Sequence, residues 1–187
     1  MKRIVLIYGL IAGAIVGAML LITMPMYKAG NLSLDSGELL GYTTMTIALS
    51  LIFFGVKNYR DKYLGGEISF FKAIQVGLLI MLVAGAVYAL CWEVSYRNMG
   101  QDFMATMSEH YVDKMKADGA TEQELAEARA EWASFNELYK NPIVRFGVTV
   151  MEITPVGVLL TLLSATLLRR KDFLPAETET EANAKAS

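Results

Sequence analysis

The sequence predicts an all-α fold, an integral membrane four-helix bundle. Of the 187 residues 54% are hydrophobic, and the mean hydropathy is +0.38. The apolar residues are clustered into four blocks at about 4–24, 39–56, 73–92 and 146–168. Each block is close to the ~20 residues that a helix rising ~1.5 Å per residue needs to cross ~30 Å of hydrocarbon. The blocks are uninterrupted rather than alternating, which favours helices over the strands of a barrel.

The first block is predicted to be a retained span rather than a signal peptide. Lys2 and Arg3 precede it, but the apolar run continues to Met24, longer than the ~7 to 15 residues of the hydrophobic region of a signal peptide. Gly9, Gly13 and Gly17 recur at every fourth residue and form a candidate helix-packing face. The partner of this face is either another span of the same chain or a second copy, and we favour the first.

Lysine and arginine residues predict the orientation of the spans, because cations are retained on the cytoplasmic side during insertion. Basic residues flank both termini and the connection between spans two and three: Lys2, Arg3, Lys57, Arg60, Lys62, Lys72, Arg169, Arg170 and Lys171. In the connection between spans three and four, acidic residues outnumber basic ones. We therefore expect both the N- and C-termini to be cytoplasmic and this loop to lie outside.

The long loop is predicted to form an extracytoplasmic αα-hairpin over about residues 102–140. Its first helix is predicted to open at Asp102 as an N-cap and to stop at Gly119. The second is predicted to open at Thr121, with Glu124 completing a capping box. The hairpin is either a lid or partner-binding element, or it packs on its own bundle, which we favour.

The domain organisation is predicted to be a single membrane domain over residues 1–172 followed by a disordered cytoplasmic tail over 173–187. The end of the chain is rich in Ala, Glu, Thr and Asn. Such a segment has too few apolar side chains to bury enough surface for folding.

Spans three and four carry a candidate polar membrane site near their outer ends. Its members are Glu93, Arg97, Arg145, Thr149, Glu152 and Pro155. A charged carboxylate costs on the order of 2.5 to 3.5 kcal/mol at the centre of a membrane helix, so it should face the bundle and have a partner. The site either binds a proton, an ion or a head group, or is an interhelical ion-pair set that fixes helix pairing; we favour the second.

Other chemistry is not indicated. Cys91 is the single cysteine, so the chain cannot form an intramolecular disulfide. The single histidine, His110, lies in the loop between spans three and four, so the spans hold neither a Ser/His nor a Cys/His pair. We therefore expect no catalytic, metal or cofactor-binding residues and no cofactor. The net charge of −2 and the lack of a basic stripe argue against nucleic acid as a partner.

Two stretches, GGEISFFKAIQVGLL from Gly65 to Leu79 and MEITPVGVLLTLLSATLLRRK from Met151 to Lys171, resemble a bacterial family catalogued as domain of unknown function 4199. The resemblance implies a four-span fold in a bacterial inner membrane and no assigned activity.

The function expected from the sequence is therefore interaction rather than catalysis. The first hypothesis is a non-enzymatic accessory subunit of a membrane complex, embedded in the lipid bilayer, with a homo-oligomer or a hetero-complex both left open. The alternative is a small transporter or channel component that uses the polar site around Glu152.

Overall fold

The computed structural model describes residues 1–175, without the side chains of residues 99–102, and this part of the chain is helical with no strand. The helices are α1 (Lys2–Lys28), α2 (Leu34–Leu49), α3 (Leu51–Tyr63), α4 (Phe70–Ala117), α5 (Glu122–Tyr139) and α6 (Pro142–Leu168). The all-α prediction is therefore confirmed.

Four helical segments of the described chain are long and apolar enough to cross a membrane. They are Lys2–Lys28, Leu34–Tyr63, Phe70–Asn98 and Pro142–Leu168. Each contains one of the predicted blocks and extends beyond it. In three of the four segments a polar cap, rather than the start of the apolar run, sets where the helix begins. The side chains of Ser33, Ser69 and Asn141 accept hydrogen bonds from backbone N–H groups in the first turns of α2, α4 and α6.

Helix α4 corrects the prediction for the hairpin. It runs unbroken for 48 residues, ~72 Å, so no helix begins at Asp102 and span three continues directly into the first arm. Gly100 lies within it, and one glycine costs only about 1 kcal/mol in a helix, too little to break it when the flanking residues favour helix. The sequence becomes more polar after Asn98, but the helical backbone continues through this point.

The turn between α4 and α5 is as predicted. Gly119 has φ +89°, and the N–H groups of Gly119 and Ala120 donate to the carbonyls of Lys116 and Met115, which closes α4 with a Schellman motif. Thr121 and Glu124 form the capping box of α5. The hydrogen bond from the Thr121 backbone N–H holds the pKa of Glu124 below its usual value.

The glycine face of α1 packs on α4 of the same chain. A Cβ added to Gly9 or Gly13 would lie 2.6 Å from the Cβ of Val83 or Val87, and one added to Gly17 would lie 2.5 Å from the sulfur of Cys91. Real Cβ atoms do not approach so closely, so the two backbones can meet only because these side chains are missing. The partner of the face is thus within the chain.

Arg60 stabilises the end of the bundle where α1 begins and α6 ends, here called the terminal end. This side chain is fully buried, and its guanidinium donates to the carbonyls of Leu168 (3.4 Å), Phe173 (2.9 Å) and Leu174. The Phe173 ring also packs edge-on against Phe53. The predicted tail therefore does not start at residue 173, because Phe173 and Leu174 are held by the bundle; residues 176–187 lie outside the described residues.

Candidate functional site

Arg145 and Glu93 form a buried ion pair at the opposite end of the bundle, here called the hairpin end. The guanidinium donates to both carboxylate oxygens at 2.7 Å, and the two side chains are 6% and 18% exposed. It also lies 3.9 Å over the ring of Tyr96. A bidentate pair of this kind is strong and fixes orientation, so it locks α6 against α4.

The same guanidinium also holds the end of α5. Its Nη1 atom donates to the backbone carbonyls of Tyr139 (3.0 Å) and Lys140 (3.3 Å). These carbonyls belong to the last turn of α5, which has no further intrahelical donor for them. One side chain of α6 thus joins three helices, while the buried hydroxyl of Thr149 donates back to the Arg145 carbonyl at 2.9 Å.

The structure separates the remaining members of the predicted polar site. Arg97 is exposed and, among the described residues, makes no hydrogen bond or ion pair, although Glu93 lies one helical turn before it. Glu93 turns to Arg145 instead because that partner is buried and offers two parallel hydrogen bonds. Pro155 lies on an exposed position of α6, which stays helical around it.

Glu152 belongs to a different place from the ion pair. Its carboxylate accepts a hydrogen bond from the hydroxyl of Tyr88 at 3.2 Å, and it lines a cavity. Tyr88 itself is buried. The predicted site is therefore two arrangements: a structural ion pair between Glu93 and Arg145, and a carboxylate that faces open space.

The cavity has a volume of about 410 Å³ and lies between the spans and the hairpin. Its interior wall is apolar and aromatic, with methionines from three helices. The lining includes four aromatic side chains and two carboxylates: Tyr42, Tyr88, Trp92, Trp132, Glu38 and Glu152. Both tryptophans of the chain belong to the wall, so their fluorescence reports directly on what enters.

The mouth of the cavity lies between α2 and α6. Of the residues that line the cavity, Glu38 and Tyr42 of α2 and Glu152 of α6 are exposed, whereas the others are buried or partly buried. Gly41 lies beside them, and a Cβ added there would meet no atom within 4 Å. The cavity therefore opens sideways, with two carboxylates at its rim.

The hairpin covers the cavity on the side away from the terminal end. His110 of α4 contacts Asp35 of α2 at 3.3 Å, and Lys114 lies 4.0 Å from the same carboxylate. Tyr111 of α4 and Trp132 of α5 pack with their ring centroids 5.7 Å apart. These contacts place the hairpin against its own bundle at α2 and make it the roof of the cavity.

The contribution of α2 to this site was not predicted from the sequence. Glu38 immediately precedes the second apolar block at 39–56, so the hydropathy pattern did not indicate that it lines a cavity. The sequence feature that could have indicated this role is the pair Gly37 and Gly41, which are four residues apart and so lie on one face of α2. Gly37 admits the Tyr27 hydroxyl, which would overlap any added Cβ, and Gly41 leaves the mouth open.

Metal ligation has no evident place in this arrangement. Within residues 1–175, the side chains of 99–102 aside, no three His, Cys, Asp or Glu side chains are grouped as a metal ion would require.

The fold and the cavity together define a class: a small all-helical protein with four helices of membrane-spanning length and apolarity around a side-opening cavity. Residues 7–170 match the family described as Protein of unknown function (DUF4199), and the chain belongs to that family. The resemblance seen in the two sequence stretches is thereby confirmed. No curated protein and no solved structure is significantly similar to the chain.

Proposed function

We propose that this chain is a non-enzymatic membrane protein that binds a small, largely apolar ligand in the cavity beneath its hairpin. The single observation that carries the proposal is the cavity of about 410 Å³ with its aromatic wall and side-facing mouth. Ligand sites have volumes of about 300 to 1,000 Å³, a mostly apolar lining and a few polar groups. Binding is preferred to catalysis because the lining offers neither serine nor cysteine as a nucleophile beside His110.

The proposed setting is a bacterial inner membrane with both termini in the cytoplasm and the hairpin outside. The basic residues at the terminal end support this orientation by the positive-inside rule. The exposed acids of α5, among them Glu127 and Glu131, suit a translocated segment. In this setting the mouth between α2 and α6 faces the lipid bilayer, from which an apolar ligand can enter.

The experiment uses the full chain in phosphatidylcholine nanodiscs and ω-bromododecanol, whose bromine quenches tryptophan on contact. We expect saturable quenching of Trp92 and Trp132 above the level caused by free ligand in the bilayer. The variant Gly41→Leu, which puts a side chain into the open mouth, should lose the saturable part. Gly147→Leu is the matched control, because Gly147 is also helical with open space around it but lies outside the cavity wall.

Equal saturable quenching in the wild type and in Gly41→Leu would contradict a cavity site. So would the absence of any saturable quenching in the wild type.

A second candidate function is that of an accessory subunit in a membrane complex. It is favoured by the reach of α4 beyond its apolar part and by the charged, exposed surface of α5. Native mass measurement in mild detergent tests it, since a monomer alone would count against both a homo-oligomer and a hetero-complex.

A further inference from the structure

We propose that the preferred ligand of the cavity is an amphipathic organic cation. Its charged group lies at the mouth between Glu38 and Glu152, and its apolar part lies against the aromatic interior. This inference rests on the proposed binding function and names the chemical class of the ligand.

The charge of the residues that line the cavity favours a cation. Among the described residues that line the cavity, two are carboxylates, Glu38 and Glu152, and none is lysine or arginine. The nearby cations are engaged elsewhere, because Arg145 is paired with Glu93 and Lys114 lies toward Asp35. A carboxylate next to hydrocarbon is costly unless it is compensated. A cation at the mouth supplies that compensation, whereas an anion is repelled.

The aromatic side chains at the mouth and in the wall of the cavity also favour a cation. Tyr42 is exposed at the mouth beside the carboxylates, and Tyr88 and Trp92 stand behind it in the wall. An organic cation is attracted to the faces of tyrosine and tryptophan rings, and more strongly where water is excluded. The Tyr88 hydroxyl donates to Glu152, which holds that carboxylate in place at the rim.

The distribution of polar groups explains why the ligand is amphipathic. The exposed polar groups are at the mouth, while the deeper wall is formed by apolar residues such as Val16, Leu20 and Met104. A compact inorganic cation would leave this interior unfilled. A neutral acyl chain would fill the interior and leave both carboxylates without a counter-charge.

The test compares three ligands that share one chain and one quencher. They are ω-bromododecyltrimethylammonium, ω-bromododecanol and ω-bromododecanoate, each titrated into nanodiscs holding the full protein and expressed as its measured mole fraction in the bilayer. We expect the cation to bind about tenfold or more tighter than the alcohol, and the carboxylate ligand to bind weakest.

Variants at the mouth identify the source of the preference. Glu38→Gln and Glu152→Gln, singly and together, should lower the ratio of the cation affinity to the alcohol affinity toward one. Glu131→Gln makes the same change of charge on an exposed position of α5 outside the wall and should have no effect.

Equal affinity for cation and alcohol in the wild type would overturn the inference, and so would a preference that survives the double substitution. In both cases binding of the alcohol would leave the proposed cavity function standing. Failure of all three ligands to quench in a saturable way would instead refute that function.

Discussion

Two arginines illustrate how single residues organise this fold. Arg60 donates to the last carbonyl of α6 and to the chain beyond it, and Arg145 donates to the last carbonyls of α5. Both are buried, at 0% and 5% exposure. Orphan carbonyls at helix ends need donors, and a guanidinium offers five in a fixed plane. Each arginine therefore links its own helix to the end of a neighbouring one through hydrogen bonds.

The ion pair of Arg145 is open to a direct test at this scale. Arg145→Met should destabilise the fold by about 3–5 kcal/mol, because Glu93 is left as a buried, unpaired charge. Adding Glu93→Gln should recover part of the loss, since the uncompensated charge is removed while the carbonyls of Tyr139 and Lys140 stay without their donor. The free energy of unfolding in detergent, followed by tryptophan fluorescence, measures both effects. A double variant as unstable as Arg145→Met would contradict the ion-pair explanation.

At the scale of elements, the close contact of α1 with α4 holds the bundle together along its length. The three glycines of α1 bring its backbone near the side chains of Val83, Val87 and Cys91. Without a hydrophobic driving force in lipid, helices associate through close packing, and small residues permit it.

Substitution on the two faces of α1 separates packing from hydrophobicity. Gly13→Leu should cost about 1–3 kcal/mol or more, because its Cβ would lie 2.8 Å from the backbone carbonyl oxygen of Ala84, which cannot move aside easily. Ala14→Leu adds a similar side chain on the exposed face and should change stability by less than about 0.5 kcal/mol. Thermal unfolding of both variants in the same nanodiscs provides the comparison. Equal losses would mean that the glycine face does not limit the approach of α4.

In helix α4 the boundary predicted from the sequence pattern differs from the boundary in the structure. The capping box that begins α5 at Thr121 and the end of α4 at Gly119 depend on neighbouring residues, so both could be predicted from the sequence. The start predicted at Asp102 was wrong because a residue that can cap a helix can also continue one, and the preceding turns were already helical. The composition changes near Asn98, but the hydrogen-bonded backbone does not.

At the scale of the whole molecule, the four membrane-length segments place the hairpin at one end and the start of α1 and the end of α6 at the other. Lys171 pairs with Glu67 at 2.6 Å at the terminal end, and His110 contacts Asp35 at the hairpin end. The proposed orientation assigns the first end to the cytoplasm and the second to the outside, and it is testable by labelling.

The labelling uses a Cys91→Ala background, which removes the only native thiol. Asp118→Cys introduces a thiol at the exposed hairpin turn, and Leu64→Cys introduces one at the exposed loop of the terminal end. In spheroplasts, a membrane-impermeant maleimide should label the Asp118 variant, and it should label the Leu64 variant only after lysis. The reverse pattern would overturn the orientation.

The helical class, the four membrane-length segments, the turn at Gly119 and the glycine face of α1 could all be predicted from the sequence. These features depend on continuous apolar runs and on local backbone chemistry, and both are determined by residues that are close together in the sequence. The packed fold was needed to show that Glu93 pairs with Arg145, that the buried Arg60 joins α3 to the end of α6, and that Glu38 and Glu152 share the mouth of one cavity. Such relations join residues from helices far apart in the chain, and they arise when packing decides which side chains meet and where space is left.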